Sequence, residues 1–336
     1  MKLLAVAATA LVLAGPVASP PPGMLYHGVY PGGVTGEEDD ITPGDLSSYE
    51  SIVGKTAAWT YFSDNWYRSR AFPRATATWI RAAGSVPFIR LMLLDSARRK
   101  PNKLFTLAHV VRGDFDTDLR AWGDAARDFG SPLIVEFGTE VNGSWFPWNG
   151  KWNGGAKKGP TLFVAAYRHI HDVIAGEGAT DLTWVFHVNG DDEPGAKWNR
   201  FENYYPGDAY VDWVAVSAYG AQEPTERWCG SFRDSMDAAY PRLRAMAPTK
   251  PVIVAELGVT SRNPLCNQAD WAQAALADLT SFRWPTVIGF SWWNEQWQND
   301  NKPAHDTDMR VQDNPALAAV FQNLVGANPN VLGSIP

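Results

Sequence analysis

Cysteine is almost absent. The 336-residue chain carries two, Cys229 and Cys266, and no Cys-x-x-Cys pair. A structural zinc takes four Cys or His ligands, so these two thiols fall short of a metal framework. The six histidines do not make up the difference. His169 and His171 stand two apart on a helical pattern and point to different faces, unlike the i, i+4 pair of a zinc helix. No metal site is expected, and a metal-dependent deacetylase on a barrel scaffold, which needs His/Asp clusters at strand ends, finds no support. In an exported chain the two cysteines read best as one disulfide, with two unpaired buried thiols as the alternative.

Basic runs are also missing. Net charge is −7 and the lysines and arginines are scattered, which argues against nucleic acid as a partner. Only the first residues form a sustained apolar run. MKLLAVAATALVLAGPVAS has a basic start at Lys2, an apolar stretch, and small residues at Val17, Ala18 and Ser19. That pattern over residues 1–19 is a secretory signal, too short for a membrane span. The expectation is a secreted, extracellular, monomeric protein with no membrane partner. A Gly-rich phosphate turn is lacking as well: HGVYPGG, after the first apolar run, does not continue into a helical pattern, which disfavours a doubly wound nucleotide-binding sheet. No internal repeat exists, and the one linker-like stub is the proline-rich stretch at 20–23. The acidic run Glu37, Glu38, Asp39, Asp40 reads as a solvated surface loop.

What is abundant is tryptophan, at sixteen residues. Exposed indoles stack on the weakly apolar C–H faces of sugar rings, although most tryptophans in a chain of this size fill core. Short apolar runs recur near 24–29, 56–62, 86–92, 132–137, 182–187, 211–217, 251–256 and 286–291. They are continuous rather than alternating, as strands buried on both faces should be. Helical patterns lie between several of them, including FPRATATWIRAAG, DTDLRAWGDAARDFG, TLFVAAYRHIHDVIAG, CNQADWAQAALADLTSF and DNPALAAVFQNLVG. Eight strands alternating with helices predict an α/β fold, a (β/α)8 TIM barrel over residues 24–328 as a single catalytic domain.

In such a barrel, chemistry sits at the C-terminal ends of the strands. That rule selects Glu140 just past the fourth strand, Glu256 at the end of the seventh, Asp95 after the third and Glu295 after the eighth. Glu136, inside the fourth strand, reads as structural. Two carboxylates facing each other across a barrel mouth suit glycosidic cleavage, one donating a proton and the other attacking the anomeric carbon. That chemistry needs no cofactor.

Four motifs in order carry a resemblance. TEVNGSWFPW (139–148), YYPGDAYVDWVAVSAYG (204–220), KPVIVAELGV (250–259) and GFSWWNEQW (289–297) resemble the acid/base loop, the lead into strand six, the nucleophile strand and the eighth strand of glycoside hydrolase family 26. The resemblance spans about residues 25–325. It implies a retaining β-glycanase acting on β-1,4-mannan, mixed-linkage β-1,3-1,4-glucan or β-1,3-xylan, with Glu140 as acid/base and Glu256 as nucleophile. It also implies that the Tyr219 hydroxyl bonds the nucleophile. One departure stands out: the mannanases of the family usually carry His before the acid/base, where this chain has Thr139.

Further substrate contacts are expected from Trp145 and Trp148 on the Glu140 loop, and Asn142 of the same loop either touches sugar or orders the turn. Strand alternation lets only one of Trp292 and Trp293 face the cleft, and Trp292 is taken as that residue. His187, ending the fifth strand with Asn189, is a cleft candidate, with a structural role equally open. Arg90, amid apolar neighbours in the third strand, needs a carboxylate partner and either orients an acid or forms a structural ion pair. The resulting expectation is a secreted endo-β-glycanase with a polysaccharide substrate. A non-catalytic carbohydrate-binding barrel is the alternative.

Overall fold

The eight apolar runs become eight parallel strands: β1 (Leu25–Tyr30), β2 (Trp59–Asn65), β3 (Val86–Met92), β4 (Leu133–Phe137), β5 (Leu182–Asn189), β6 (Trp213–Tyr219), β7 (Val252–Gly258) and β8 (Val287–Trp293). Each pairs with the next in sequence, and β8 returns to pair with β1 from Tyr26↔Gly289 to Tyr30↔Trp293, closing the ring. The fold is a (β/α)8 barrel. In this computed structural model the described residues are 15–33, 35, 36, 38–97 and 101–336. Most of the expected secretory signal, residues 1–14, lies outside them. Of its remainder, Val17 is buried and its amide donates to the Thr183 hydroxyl at 2.6 Å. No helix among the described residues is long and apolar enough to cross a membrane.

Helices fill the crossovers: α1 (Pro43–Val53), α2 (Arg74–Ala82), α3 (Leu107–Val111), α4 (Asp116–Arg127), α5 (Gly155–Gly176), α6 (Phe232–Met246), α7 (Gln268–Thr280) and α8 (Pro315–Phe321). Several starts are capped by short polar side chains. Ser231 accepts from the Asp234 amide, Asn267 from Asp270, and Thr42 forms a reciprocal box with Asp45.

The barrel interior is filled, not hollow. Trp59 enters it from β2 and donates its indole N–H to Ser291 at 2.6 Å. Two glycines make room: a Cβ on Gly28 would stand 2.0 Å from the Trp59 ring, and one on Gly289 would stand 2.4 Å from it. The side chains above this plug, at the C-terminal ends of the strands, are polar and charged. The Cys229–Cys266 disulfide forms as expected, with Cα atoms 5.6 Å apart, and ties the loop after β6 to the loop after β7.

Candidate active site

Glu140 sits three residues past β4 in a left-handed backbone conformation (φ +47°), rare for a side chain of its kind. The turn is held from several sides. The Gly143 amide donates to the Glu140 carbonyl at 2.7 Å. Asn142 donates to the Asn189 and Asp191 carbonyls and to the Asp192 carboxylate, and accepts from the Asn189 amide. Strain of this kind persists only where the surroundings over-determine it, and it concentrates at functional positions. Both carboxylate oxygens of Glu140 are engaged by neutral donors, Trp145 Nε1 at 2.7 Å and Asn189 Nδ2 at 2.9 Å.

Glu256 rises from inside β7. Tyr219, ending β6, donates its hydroxyl to one oxygen at 2.9 Å, and Tyr61 of β2 reaches the other at 3.2 Å. Arg90 Nη2 lies 3.5 Å from that second oxygen. Burial pushes the Glu256 carboxyl up to about 7; Arg90 opposes this, and the Glu140 charge reinforces it. A carboxyl whose folded pKa lies above its unfolded value stabilises the fold when protonated. That contribution is complete below the unfolded pKa and is lost as pH rises through about 7. Glu256→Gln is therefore expected to be more stable than wild type at pH 8, by roughly 2–3 kcal/mol, an advantage that vanishes near pH 4. Denaturant titration of both proteins at the two pH values measures it.

Beneath Glu256 lies a buried polar network. Tyr61 is 2.5 Å from Glu136, so its single proton goes there and Glu256 receives a weaker share. Glu136 also accepts from Thr139, and its other oxygen is 2.9 Å from His187 Nδ1; His187 Nε2 meets Ser217 at 2.8 Å. Burial alone would raise the Glu136 carboxyl and lower the His187 imidazole. Each outweighs that for the other, so Glu136 falls and His187 rises. Arg90, itself buried, contacts three acids: Glu38 at 2.7 Å, Glu256 at 3.5 Å and Glu136 at 3.6 Å. Removing one member of a buried ionic cluster leaves the others uncompensated. Arg90→Met should cost about 3–5 kcal/mol of stability in thermal or urea unfolding.

Both carboxylates open onto a cleft of about 590 Å³ at the C-terminal rim. Trp145, Phe146, Trp293 and Trp297 supply its aromatic lining, and Trp293 stacks on Tyr30 with ring centres 4.0 Å apart.

Several expected contacts are placed elsewhere. Trp292 points outward, fully buried between Trp271 and Phe321, while Trp293 faces the cleft. Alternation allowed one of the pair, and the parity is set by Ser291, which faces inward to Trp59. Trp148 is buried too, stacked on Phe146 and bonded to the Thr139 carbonyl, so it backs the wall rather than forming it. His187 is fully buried under the site, and Asn142 is fully buried as the tie of its loop. The acidic run is a solvated loop only in part, with Asp40 exposed. Glu38 is buried at the cleft wall on Arg90 and Asp39 pairs with Arg68 at 2.9 Å; Glu37 lies outside the described residues. Asp95 ties its own loop through the Lys103 amide, whereas Glu295 lines the cleft and accepts from Trp293 Nε1 at 3.0 Å.

Residues 112–257 match the family model described as Glycosyl hydrolase family 26, a span that holds both Glu140 and Glu256. Over that span, a little under half of its length, the chain is similar to this family. The chain is 26% identical over 285 residues to Endoglucanase H of Acetivibrio thermocellus, covering 84% of this chain and 29% of that protein. It is 26% identical over 171 residues to a mannan endo-1,4-beta-mannosidase of Bacillus subtilis, covering 50% of this chain and 40% of that one. The chain thus spans well under half the length of these curated relatives. Among solved structures, a Bacillus subtilis mannanase superposes with a TM-score of 0.62 at 16% identity, covering 94% of this chain and 88% of the other. A modular Cellulomonas fimi endo-beta-1,4-mannanase gives 0.65 at 17% identity, covering 93% and 72%. At such identities the structural likeness speaks for the barrel fold alone.

Proposed function

We propose that this chain is a secreted, retaining endo-β-glycanase in which Glu256 is the nucleophile and Glu140 the acid/base. The observation that carries the reading is the asymmetry between the two acids on one cleft. Glu256 has Arg90 at 3.5 Å and His187 in the network below it, whereas Glu140 is held by the neutral donors Trp145 and Asn189. Arg90 and His187 favour the charged form of Glu256 against its burial, which suits a carboxylate that attacks. In the first step Glu256 attacks the anomeric carbon while Glu140 passes its proton to the departing glycosidic oxygen. In the second, Glu140 takes a proton from water, which attacks the glycosyl ester and releases Glu256. The configuration inverts twice and is retained.

Of the candidate backbones, mixed-linkage β-1,3-1,4-glucan fits better than β-1,4-mannan. The relative matched over most of this chain is named an endoglucanase. The position before the acid/base is Thr139, a buried hydroxyl spent on Glu136 rather than a group offered to a sugar. Mannan stands second, supported by the mannosidase relative. The test is a panel of barley β-glucan, mannan, β-1,3-xylan and laminarin. Anomeric configuration of the first products is read by proton NMR. Products of several sugars with the β configuration are expected from β-glucan. Release of α-configured sugar overturns the retaining assignment. Binding to the polymers without product formation turns the reading toward a carbohydrate-binding barrel.

A further inference from the structure

We infer that Trp228, on the loop after β6, is an outlying sugar-stacking site that extends the catalytic cleft for a longer polymer. The inference rests on the glycanase reading above.

Trp228 is 51% exposed, against 40% for Trp145 and 41% for Trp152. A lone exposed apolar side chain is ordinary; three features set this one apart. First, it borders the cleft. A Cβ placed on Gly230 would lie 2.6 Å from the Trp228 ring and 3.5 Å from the Tyr219 carbonyl, which puts ring and carbonyl within about 6 Å of each other. Tyr219 is the residue whose hydroxyl holds Glu256, and Gln222, Glu223 and Glu226 of the same loop line the cleft.

Second, the loop is fixed on every side. Cys229, next in sequence, is bonded to Cys266. Trp271 donates to the Gly230 carbonyl at 2.7 Å, Asn263 to the Glu226 carbonyl at 2.8 Å, and Thr307 to the Gln222 carbonyl at 2.8 Å. A rigid aromatic surface loses little entropy when a ring settles on it, which is what a stacking platform needs. Third, exposed aromatic rings stand two strands away as well. Trp145 and Trp152 stand exposed on the β4 side, tied together where the Trp152 indole donates to the Ser144 carbonyl. A glycan crossing from Glu140 past Glu256 toward β6 meets an aromatic face at each end. The acids Glu223 and Glu226, which line the cleft on the same loop as the indole, offer acceptors for sugar hydroxyls and disfavour anionic chains.

The test compares Trp228→Ala and Trp228→Tyr with wild type on the polysaccharide that the wild-type protein cleaves and on an aryl disaccharide too short to span the cleft. Melting temperature serves as the folding check. Trp228→Ala should raise KM for the polymer by about three- to tenfold with kcat little changed, and the tyrosine variant should recover most of the loss. A polymer KM equal to that of wild type overturns the inference while leaving the hydrolase reading intact. So does an equal KM rise on the short substrate, because the effect then travels through Tyr219. Affinity electrophoresis in polymer gels on a Glu256→Gln background separates the two claims. Retardation that Trp228→Ala weakens supports the platform even if no polymer in the panel is cleaved. Retardation that is unchanged by the substitution sinks it.

Discussion

Glu256→Gln is expected to lower kcat/KM on the cleaved polysaccharide by about 10⁴-fold or more, close to 5.5 kcal/mol of transition-state stabilisation. The argument is one of atoms. The amide that replaces the carboxylate keeps its shape and can still meet Tyr219 and Tyr61, but it has no charge to share with the anomeric carbon. No other acid of the cleft stands in for it. Glu136 is buried beneath on His187, and Glu295 is turned to Trp293. Binding should survive, because the aromatic lining is untouched. The loss therefore falls on kcat, and a better leaving group does not restore it, since the missing step is bond formation rather than protonation. Turnover within tenfold of wild type on both polymer and aryl glycoside would remove Glu256 from the mechanism. The stability arm described above runs the other way, so a variant that is dead yet sturdier at pH 8 cannot be dismissed as misfolded.

The barrel itself was written plainly in the chain. All eight strands fall within a few residues of the apolar runs, because strands buried on both faces leave continuous Val, Ile, Leu and aromatic stretches. The helices that the periodicity passes over are those with a reason to be passed over. Pro43–Val53 is polar and serine-rich, Leu107–Val111 is a single turn and a half, and Phe232–Met246 carries Pro241 in its interior. Strand ends alone pointed to four acids, of which Glu140, Glu256 and Glu295 line the cleft. What surrounds them was not legible, for a physical reason: Arg90 gathers Glu38 from the loop after β1, Glu136 from β4 and Glu256 from β7, and no local pattern records who meets whom across a ring.

Parity was the other gap. GFSWW permits either tryptophan to face the cleft, and only the inward partner of Ser291 decides for Trp293. The polar Ser291, in a run otherwise apolar, was the available signal. Loop aromatics split the same way. Trp145 reaches the acid, Trp148 three residues later is buried behind Phe146, and both belong to one ten-residue motif. The network beneath the site also gives Thr139 its place. The Arg90 and His187 charges already satisfy Glu136, so a small hydroxyl completes the set.

Glu140→Ala should separate the two roles of the acid/base by leaving group. On polysaccharide, whose departing hydroxyl is a poor leaving group, loss of the proton donor costs about 10²- to 10⁴-fold in kcat/KM. On an aryl glycoside with a strongly acidic phenol the first step needs no proton, so glycosylation of Glu256 proceeds nearly as in wild type. The second step still lacks its base. The glycosyl-enzyme then accumulates, and phenol appears as a burst equal to the enzyme present, followed by slow turnover. Azide, a nucleophile that needs no deprotonation, should enter the space vacated beside Trp145 and Asn189, restore turnover and give a glycosyl azide of retained configuration. Alanine is the better probe than glutamine here. Both Glu140 oxygens accept from N–H donors, and the amide nitrogen of glutamine would face one of those donors unfavourably. Mass spectrometry of the stalled protein locates the sugar: an adduct on the peptide bearing Glu256 supports the double displacement. An equal loss for every leaving group, with no burst and no azide product, would mean that Glu140 only binds substrate and that the proton comes from elsewhere.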